Sequence, residues 1–185
     1  MVHPYFKGLL KTTNALAYLI FLVSNIYSVD FPKITHEIIK QTHFTPATWI
    51  FSVWPIIHIA LLCPIIYSFV SDRGNAVVID GISLVFPVFM VIYAIFATVR
   101  AEHNQTCAFI LSFCLNCIGL RICTTLKMGY PPKSIGERFF IIFPFCVCQA
   151  YNTVVFSSTA FEEFGIGAAE RGNGSWTTFS VVSTL

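Results

Sequence analysis

The sequence predicts an all-α integral membrane protein, built as a bundle of five transmembrane helices with a partial sixth helix at the C-terminus. Its composition is 56% hydrophobic and only 11% charged, whereas roughly 25% of residues are charged in soluble domains. Its mean hydropathy is +0.73. Several apolar stretches have the length of about 20 residues that a helix needs to cross a bilayer, and short polar segments separate them.

The five predicted spans form one domain over residues 1–161, and residues 162–185 form a polar tail that includes the start of the sixth helix. The spans are predicted at 9–29, 47–70, 77–99, 107–126 and 139–161. The first could be a signal peptide, but its polar interior favours a retained helix. Asn14, Tyr18 and Asn25 recur near one face of this span, which we therefore expect to meet other helices rather than lipid.

The second span carries the clearest candidate site. Thr45 suits the N-cap and Pro46 the first helical position. At helical spacing Phe51, Trp54 and His58 fall near one face, so that aromatic rings and an imidazole line a stripe on an apolar helix. This stripe is where we expect a ligand to bind.

The later spans contain few polar residues. Asp80 lies near the start of the third span, and Arg121 lies in the last turns of the fourth, from which its side chain can extend to the interface. In the fifth, Gln149 and Asn152 are three residues apart on one face. They must find partners in the bundle or line a polar cavity.

In the tail, Ser175 and Trp176 resemble the start of a helix, but the nine residues after Trp176 are too few to cross a membrane. The tail either lies at the interface or belongs to a shortened version of a longer chain, and we favour the second interpretation.

The distribution of basic residues predicts a cytosolic N-terminus. With five spans, one side of the membrane carries the larger set: Lys7, Lys11, Arg73, Lys127, Lys133 and Arg138. The other side carries Lys33, Lys40, Arg100 and Arg171. Two glycosylation sequons, at Asn104 and Asn173, fall on the predicted outer side. The organelle is left open.

Several functional classes are disfavoured by the sequence. Its basic residues form no patch with interleaved aromatic residues, so no nucleic-acid partner is expected. The seven cysteines lie mostly in apolar runs, and the pair Cys114 and Cys117 lies inside a predicted span without a second pair, which argues against a disulfide framework or a zinc site. His36 and His43, with two carboxylates in the segment 30–44, match no metal-site spacing. We therefore predict no metal site and no required cofactor.

Residues 44–62, FTPATWIFSVWPIIHIALL, closely resemble the FTPAxWxFSIWxxIYxxL signature of the tryptophan-rich sensory proteins, which are related to the TspO/MBR translocator family. Weaker similarities follow in the same order along the chain. They are Asn25, the segment Thr35–Ile38, the segment PFCVCQAYNTVV at 144–155, and Trp176 with Thr177. The resemblance covers most of residues 14–180.

The resemblance implies a helical bundle with a ligand pocket between helices, covered by the loop that joins the first two. It also implies a tetrapyrrole or a sterol as ligand. The chain departs from the family pattern because it has only three tryptophans, because His58 replaces the usual Tyr, and because Tyr151 replaces a usual Trp.

Three functions are weighed. The first is a non-enzymatic membrane sensor or carrier that binds a hydrophobic, tetrapyrrole- or sterol-like molecule, with a porphyrin or haem-like ligand as a candidate. The second is a structural or interaction protein that has lost the ligand site. The third is a membrane-embedded enzyme, for which only His58, Asp80 and Arg121 are ionisable candidates within the spans, so no catalytic residue is assigned. Expected partners are membrane lipid and the small molecule, and a homodimer is left open. The predicted ligand-binding residues are Trp49, Phe51, Trp54, His58, Gln149 and Asn152.

Overall fold

A computed structural model describes residues 4–29, 53–102 and 104–170, and these ranges contain helices and no strand. The helices are α1 (Pro4–Val29), α2 (Val53–Val70), the short α3 (Asp72–Asn75), α4 (Val85–Ala101), α5 (Gln105–Gly129), the short α6 (Ile135–Glu137) and α7 (Phe143–Glu170). Two π-helical segments, π1 (Ala76–Ile82) and π2 (Arg138–Ile142), precede α4 and α7. The predicted all-α class is confirmed.

Four helical stretches are long and apolar enough to cross a membrane, and a fifth is obtained when one bent helix pair is counted as a single span. The four stretches are Tyr5–Ile26, Val53–Val70, Gln105–Gly129 and Ile135–Phe164. The bent pair joins Asp72–Ile82 to Val85–Ala101 at an angle of 69°. These findings agree with the predicted membrane bundle. The predicted sixth helix, which would start at Trp176, lies outside the described residues.

The third span is broken rather than continuous over 77–99 as the hydropathy suggested. The backbone N–H of Ser83 donates to the carbonyl of Val78, 3.1 Å away, which closes a π-type turn. Ser83 then takes φ 47° and ψ −130°, the one positive φ at a non-glycine residue in the described chain. A helix cannot continue through that conformation, so the chain turns and α4 starts afresh.

Several other predicted boundaries differ from the structure, and α1 begins at Pro4 instead of residue 9. Helix α5 continues from the predicted end at 126 to Gly129, and α7 continues from the predicted end at 161 to Glu170. Polar residues such as Glu162 and Glu163 did not end α7, because their side chains pair with Arg100 of α4 and Thr106 of α5.

The alternating direction of the helices gives the bundle two distinct ends. At one end, which we call the basic end, Lys7 pairs with Asp80 at 3.0 Å and Arg73 lies 3.7 Å from Glu137. The opposite end carries the last turns of α1 and the first turn of α2. We call it the Trp54 end, after a residue in that first turn.

The core is apolar and rich in aromatic residues. Phe86, Phe89, Met90, Leu115 and Ile122 are buried between the helices. The expectation for α1 is confirmed, since the three residues named for its inward face, Asn14, Tyr18 and Asn25, are buried. The outer faces carry many exposed apolar side chains, as a lipid-facing surface requires.

Candidate functional site

Five aromatic side chains from four helices meet near the Trp54 end, and we call them the aromatic cluster: Phe21 of α1, Trp54 and His58 of α2, Tyr93 of α4 and Tyr151 of α7. The Trp54 ring is central. Its centroid lies 4.7 Å from that of His58, 5.2 Å from that of Tyr93 and 4.7 Å from that of Tyr151. The cluster therefore connects four helices that are far apart in sequence.

Helical spacing accounts for the α2 part of the cluster. Trp54 and His58 are four residues apart and so lie on the same face. Phe21 reaches that face from α1 and stacks on the His58 ring, with the centroids 4.7 Å apart and the planes 11° from parallel. Tyr93 closes the far side, with its ring centroid 5.3 Å from that of Phe21.

The imidazole of His58 is held in one tautomer by its own helix. Its Nδ1 lies 2.8 Å from the carbonyl oxygen of Trp54. A carbonyl only accepts hydrogen bonds, so Nδ1 must carry the proton. In the neutral ring, Nε2 then carries a lone pair that can only accept a hydrogen bond or bind a metal ion.

That lone pair has no hydrogen-bond partner among the described residues, although Nε2 is fully buried and His58 as a whole is 8% exposed. Buried polar atoms in native proteins are nearly always paired, and an unpaired one calls for an explanation. Such an atom can accept a hydrogen bond from a ligand N–H or O–H, or it can bind a metal ion carried by a ligand.

The neighbouring polar groups hold the cluster in position. The indole N–H of Trp54 donates to Oδ1 of Asn25 at 3.2 Å, and the Asn25 amide donates to the carbonyl of Phe21 at 2.7 Å. The hydroxyl of Tyr18 donates to the carbonyl of His58 at 2.8 Å. Helices α1 and α2 are therefore joined by hydrogen bonds on both sides of the Phe21–His58 stack.

On the other side of the cluster, Asn152 accepts a hydrogen bond from Tyr93. The Tyr93 hydroxyl lies 2.6 Å from Oδ1 of Asn152, and both residues are buried. The amide nitrogen of Asn152 has no partner within the described part of the chain. A second unsatisfied polar atom thus lies one side chain beyond the aromatic cluster.

Gln149 faces α5 instead of the cluster. Its amide nitrogen donates to Oδ1 of Asn116 at 2.6 Å. Its Oε1 lies against Gly119, so closely that a Cβ at that glycine would overlap it. The absence of a side chain at Gly119 lets α7 approach α5 closely enough for the Gln149–Asn116 contact.

A family model for TSPO-like proteins matches residues 11–184. The chain belongs to the TSPO-like protein family. Proteins of the TspO type are membrane proteins that bind hydrophobic ligands, and the family is generally non-enzymatic. No curated protein and no solved structure matches the chain.

In this TSPO-like chain, three of the six predicted ligand-binding residues come together. Trp54 and His58 are members of the aromatic cluster, and Asn152 is joined to it through Tyr93. Gln149 is one turn from Asn152 but has its amide nitrogen bonded to α5. Trp49 and Phe51, together with the segment expected to cover the pocket, lie outside the described residues.

Phe21, Tyr93 and Tyr151 were not among the predicted ligand-binding residues, and Tyr151 was noted only as the replacement of a usual Trp. Phe21 carries no signal of its own, because one phenylalanine in an apolar helix looks like any other. Tyr93 did carry one, since a hydroxyl inside a span needs a hydrogen-bond partner. Neither its partner nor its position between α1 and α7 could be read from one sequence.

The three ionisable residues that an enzyme would need lie apart. His58 is in the aromatic cluster, Asp80 pairs with Lys7 at the basic end, and Arg121 is exposed on the outer face of α5. Within the described ranges, no group of three or more His, Cys, Asp or Glu residues is placed to hold a metal ion.

Proposed function

We propose that this TSPO-like protein is a non-enzymatic membrane sensor or carrier that binds a flat, hydrophobic small molecule at the aromatic cluster. The observation that carries the proposal is the lone pair of His58 Nε2, which is buried among aromatic rings and lacks a partner in the described chain. Family membership supports a hydrophobic ligand. The aromatic cluster adds the expectation of a planar one, since stacked and tilted rings interact best with another π-system.

The chemistry of the site suits a tetrapyrrole better than a sterol. A metal-free protoporphyrin carries carboxylic acid groups at its edge, one of which can donate its O–H to Nε2 when protonated, and its extended ring offers stacking area to Trp54 and Tyr93. A haem-like ligand would instead present a metal ion to the same lone pair. A sterol has one hydroxyl for Nε2 but no π-face. The protein needs no cofactor in this proposal, because the tetrapyrrole is its ligand.

Binding must rearrange the cluster. Phe21 is fully buried and stacks on the face of the His58 ring. The Nε2 lone pair lies in the plane of that ring, so we infer that the ligand approaches His58 at its Nε2 edge and that the Phe21 ring shifts to make room for it. Trp54 is only partly buried, so it is the ring that can move most easily to admit the ligand.

The orientation that we propose places the N-terminus in the cytosol. Lys7, Arg73, Lys127 and Lys133 all lie at the basic end, while the Trp54 end has Arg100 in an ion pair with Glu162 at 3.0 Å. Positive charge concentrates on the cytosolic side of membrane proteins. The aromatic cluster then lies closer to the non-cytosolic side.

The test is a titration of detergent-purified protein with protoporphyrin IX, followed by quenching of tryptophan fluorescence. The chain has three tryptophans, so Trp54→Phe and Trp176→Phe each remove one emitter and form a matched pair. We expect saturable quenching in the parent protein, a weaker apparent affinity in Trp54→Phe, and an unchanged affinity in Trp176→Phe.

Two outcomes would reject the proposal in different ways. Linear quenching, the same in all three proteins, would mean that the porphyrin partitions into the micelle, and the interaction-protein alternative would then be preferred. Saturable binding followed by chemical conversion of the porphyrin, detected by mass spectrometry of the extracted ligand, would favour an enzyme.

A further inference from the structure

Arg121 lies on the outer face of α5, within a membrane-spanning helix. Its side chain is exposed, and it makes no hydrogen bond or ion pair with any residue that the structure describes. Leu120 and Cys117, on the same outer face, are also exposed. The guanidinium therefore points toward lipid.

The depth of Arg121 follows from helix geometry. Helix α5 has 25 residues, which at about 1.5 Å per residue gives a length of about 37 Å. If it is centred on a hydrocarbon core about 30 Å thick, each end extends about 4 Å beyond the core. Arg121 is eight residues before Gly129, hence about 12 Å from the helix end and about 8 Å inside the hydrocarbon boundary.

A charge at that depth needs a partner from the lipid phase. An arginine within the core of a span is costly, and its side chain relieves the cost by reaching toward the interface and drawing polar groups inward. Two carboxylates near this end are already engaged, because Asp80 is bonded to Lys7, and Glu137 accepts the Lys133 backbone N–H beside Arg73. No protein carboxylate in the described chain lies within ion-pair distance of Arg121.

A second basic residue lies on the exposed side of α5, about 120° around the helix axis from Arg121 and closer to the helix end. Lys127 is six residues after Arg121 and two before Gly129, and it is exposed, as is Thr124 between them. It makes no ion pair among the described residues. The two cations are about 9 Å apart along the helix axis. Arg121 lies inside the hydrocarbon boundary, and Lys127 lies at the depth of the headgroups.

We propose that Arg121 and Lys127 form a binding site for an anionic phospholipid of the leaflet at the basic end. Arg121 binds the phosphate through its planar fork of N–H donors, and Lys127 attracts the additional negative charge of the headgroup. The acyl chains lie along the apolar outer face of α5, against Cys117 and Leu120. This site is independent of the aromatic cluster and of the proposed ligand.

The test is native mass spectrometry of protein released from nanodiscs that contain equal amounts of phosphatidylglycerol and phosphatidylcholine. The variants are Arg121→Gln and Lys127→Gln. Lys11→Gln is the matched control, because it removes the same charge from the same end but lies on α1, beside Phe69 of α2. We expect the parent and Lys11→Gln to retain phosphatidylglycerol in several-fold preference, and both α5 variants to lose most of that preference.

Equal loss of preference in all three variants would overturn the proposal, because it would show that the preference depends on the total charge of the basic end and not on the two residues of α5. Full retention in Arg121→Gln would overturn it as well. The source of the phosphate is tested by thermal unfolding in detergent. Stabilisation by added phosphatidylglycerol, absent with inorganic phosphate at the same concentration, is expected, and equal stabilisation by both would contradict a lipid site.

Discussion

Phe21 and His58 stack face to face across the α1–α2 contact, with ring centroids 4.7 Å apart. Phe21 thereby fixes the imidazole and fills space beside Nε2 that we expect the ligand to need. We expect Phe21→Leu to lower the free energy of unfolding by about 1–2 kcal/mol, because an aromatic pair and some packing are lost. The same change should tighten porphyrin binding, since the ligand no longer displaces a ring.

Thermal unfolding and porphyrin titration of Phe21→Leu test both halves of that prediction. Phe6→Leu is the control, because Phe6 is exposed on the same helix and pairs with no aromatic ring of the described residues, so its replacement should change neither quantity. Weaker porphyrin binding in Phe21→Leu would show that Phe21 contacts the ligand instead of yielding to it.

Tyr93→Phe removes the hydroxyl that donates to Asn152 and leaves the ring in place. We expect a loss of about 1 kcal/mol in the free energy of unfolding, in the range of hydrogen bonds between membrane helices. Tyr67→Phe provides the comparison, because the Tyr67 hydroxyl makes no hydrogen bond to a described residue. Its removal leaves the stacking of the ring on Phe140 unchanged. Equal effects of the two substitutions would mean that the Tyr93–Asn152 bond contributes nothing.

Gly119→Ala should destabilise the α5–α7 contact. The added Cβ would overlap Oε1 of Gln149, which cannot turn away without breaking its bond to Asn116. We expect a cost of about 1–2 kcal/mol, measured by thermal unfolding in detergent. Gly129→Ala has open space around its added Cβ and should be neutral. Combining Gly119→Ala with Gln149→Ala should cost less than the sum of the two single changes, and additive costs would argue against the overlap.

The break before α4 can be tested at Ser83. This residue has φ 47°, a conformation that glycine adopts without the steric cost paid by other residues. Ser83→Gly should therefore raise the free energy of unfolding by about 1 kcal/mol. A lower melting temperature for Ser83→Gly than for the parent would show that the serine side chain contributes more than its backbone conformation costs.

The sequence was sufficient for the fold class and for part of the site. Apolar runs of spanning length predicted the bundle, and the inward positions of Asn14, Tyr18 and Asn25 followed from the cost of unpaired polar groups in lipid. Hydropathy could not reveal the break at Ser83, because residues on both sides of it are equally apolar. The π-type turn there depends on the backbone conformation of Ser83, and a serine in the sequence does not indicate that conformation.

The sequence predicted which residues of the candidate site share a face of the same helix. The four-residue spacing of Trp54 and His58 placed both on one face of α2, and these are two of the five rings of the aromatic cluster. Gln149 and Asn152 share a face of α7 as well, yet the absence of a side chain at Gly119 draws Gln149 toward α5 while Tyr93 binds Asn152. The hydrogen-bond partner of a polar residue depends on which helices are its neighbours. The arrangement of the helices in the bundle cannot be read from one sequence.

We propose that His58 Nε2 binds the ligand. The most direct measurement compares the dissociation constant of protoporphyrin IX for the parent and for His58→Phe, which keeps an aromatic ring against Phe21 and removes the lone pair. We expect binding to weaken about tenfold, the equivalent of one hydrogen bond of about 1.4 kcal/mol, with little change in the melting temperature. An unchanged dissociation constant in a folded His58→Phe protein would show that Nε2 does not bind the porphyrin.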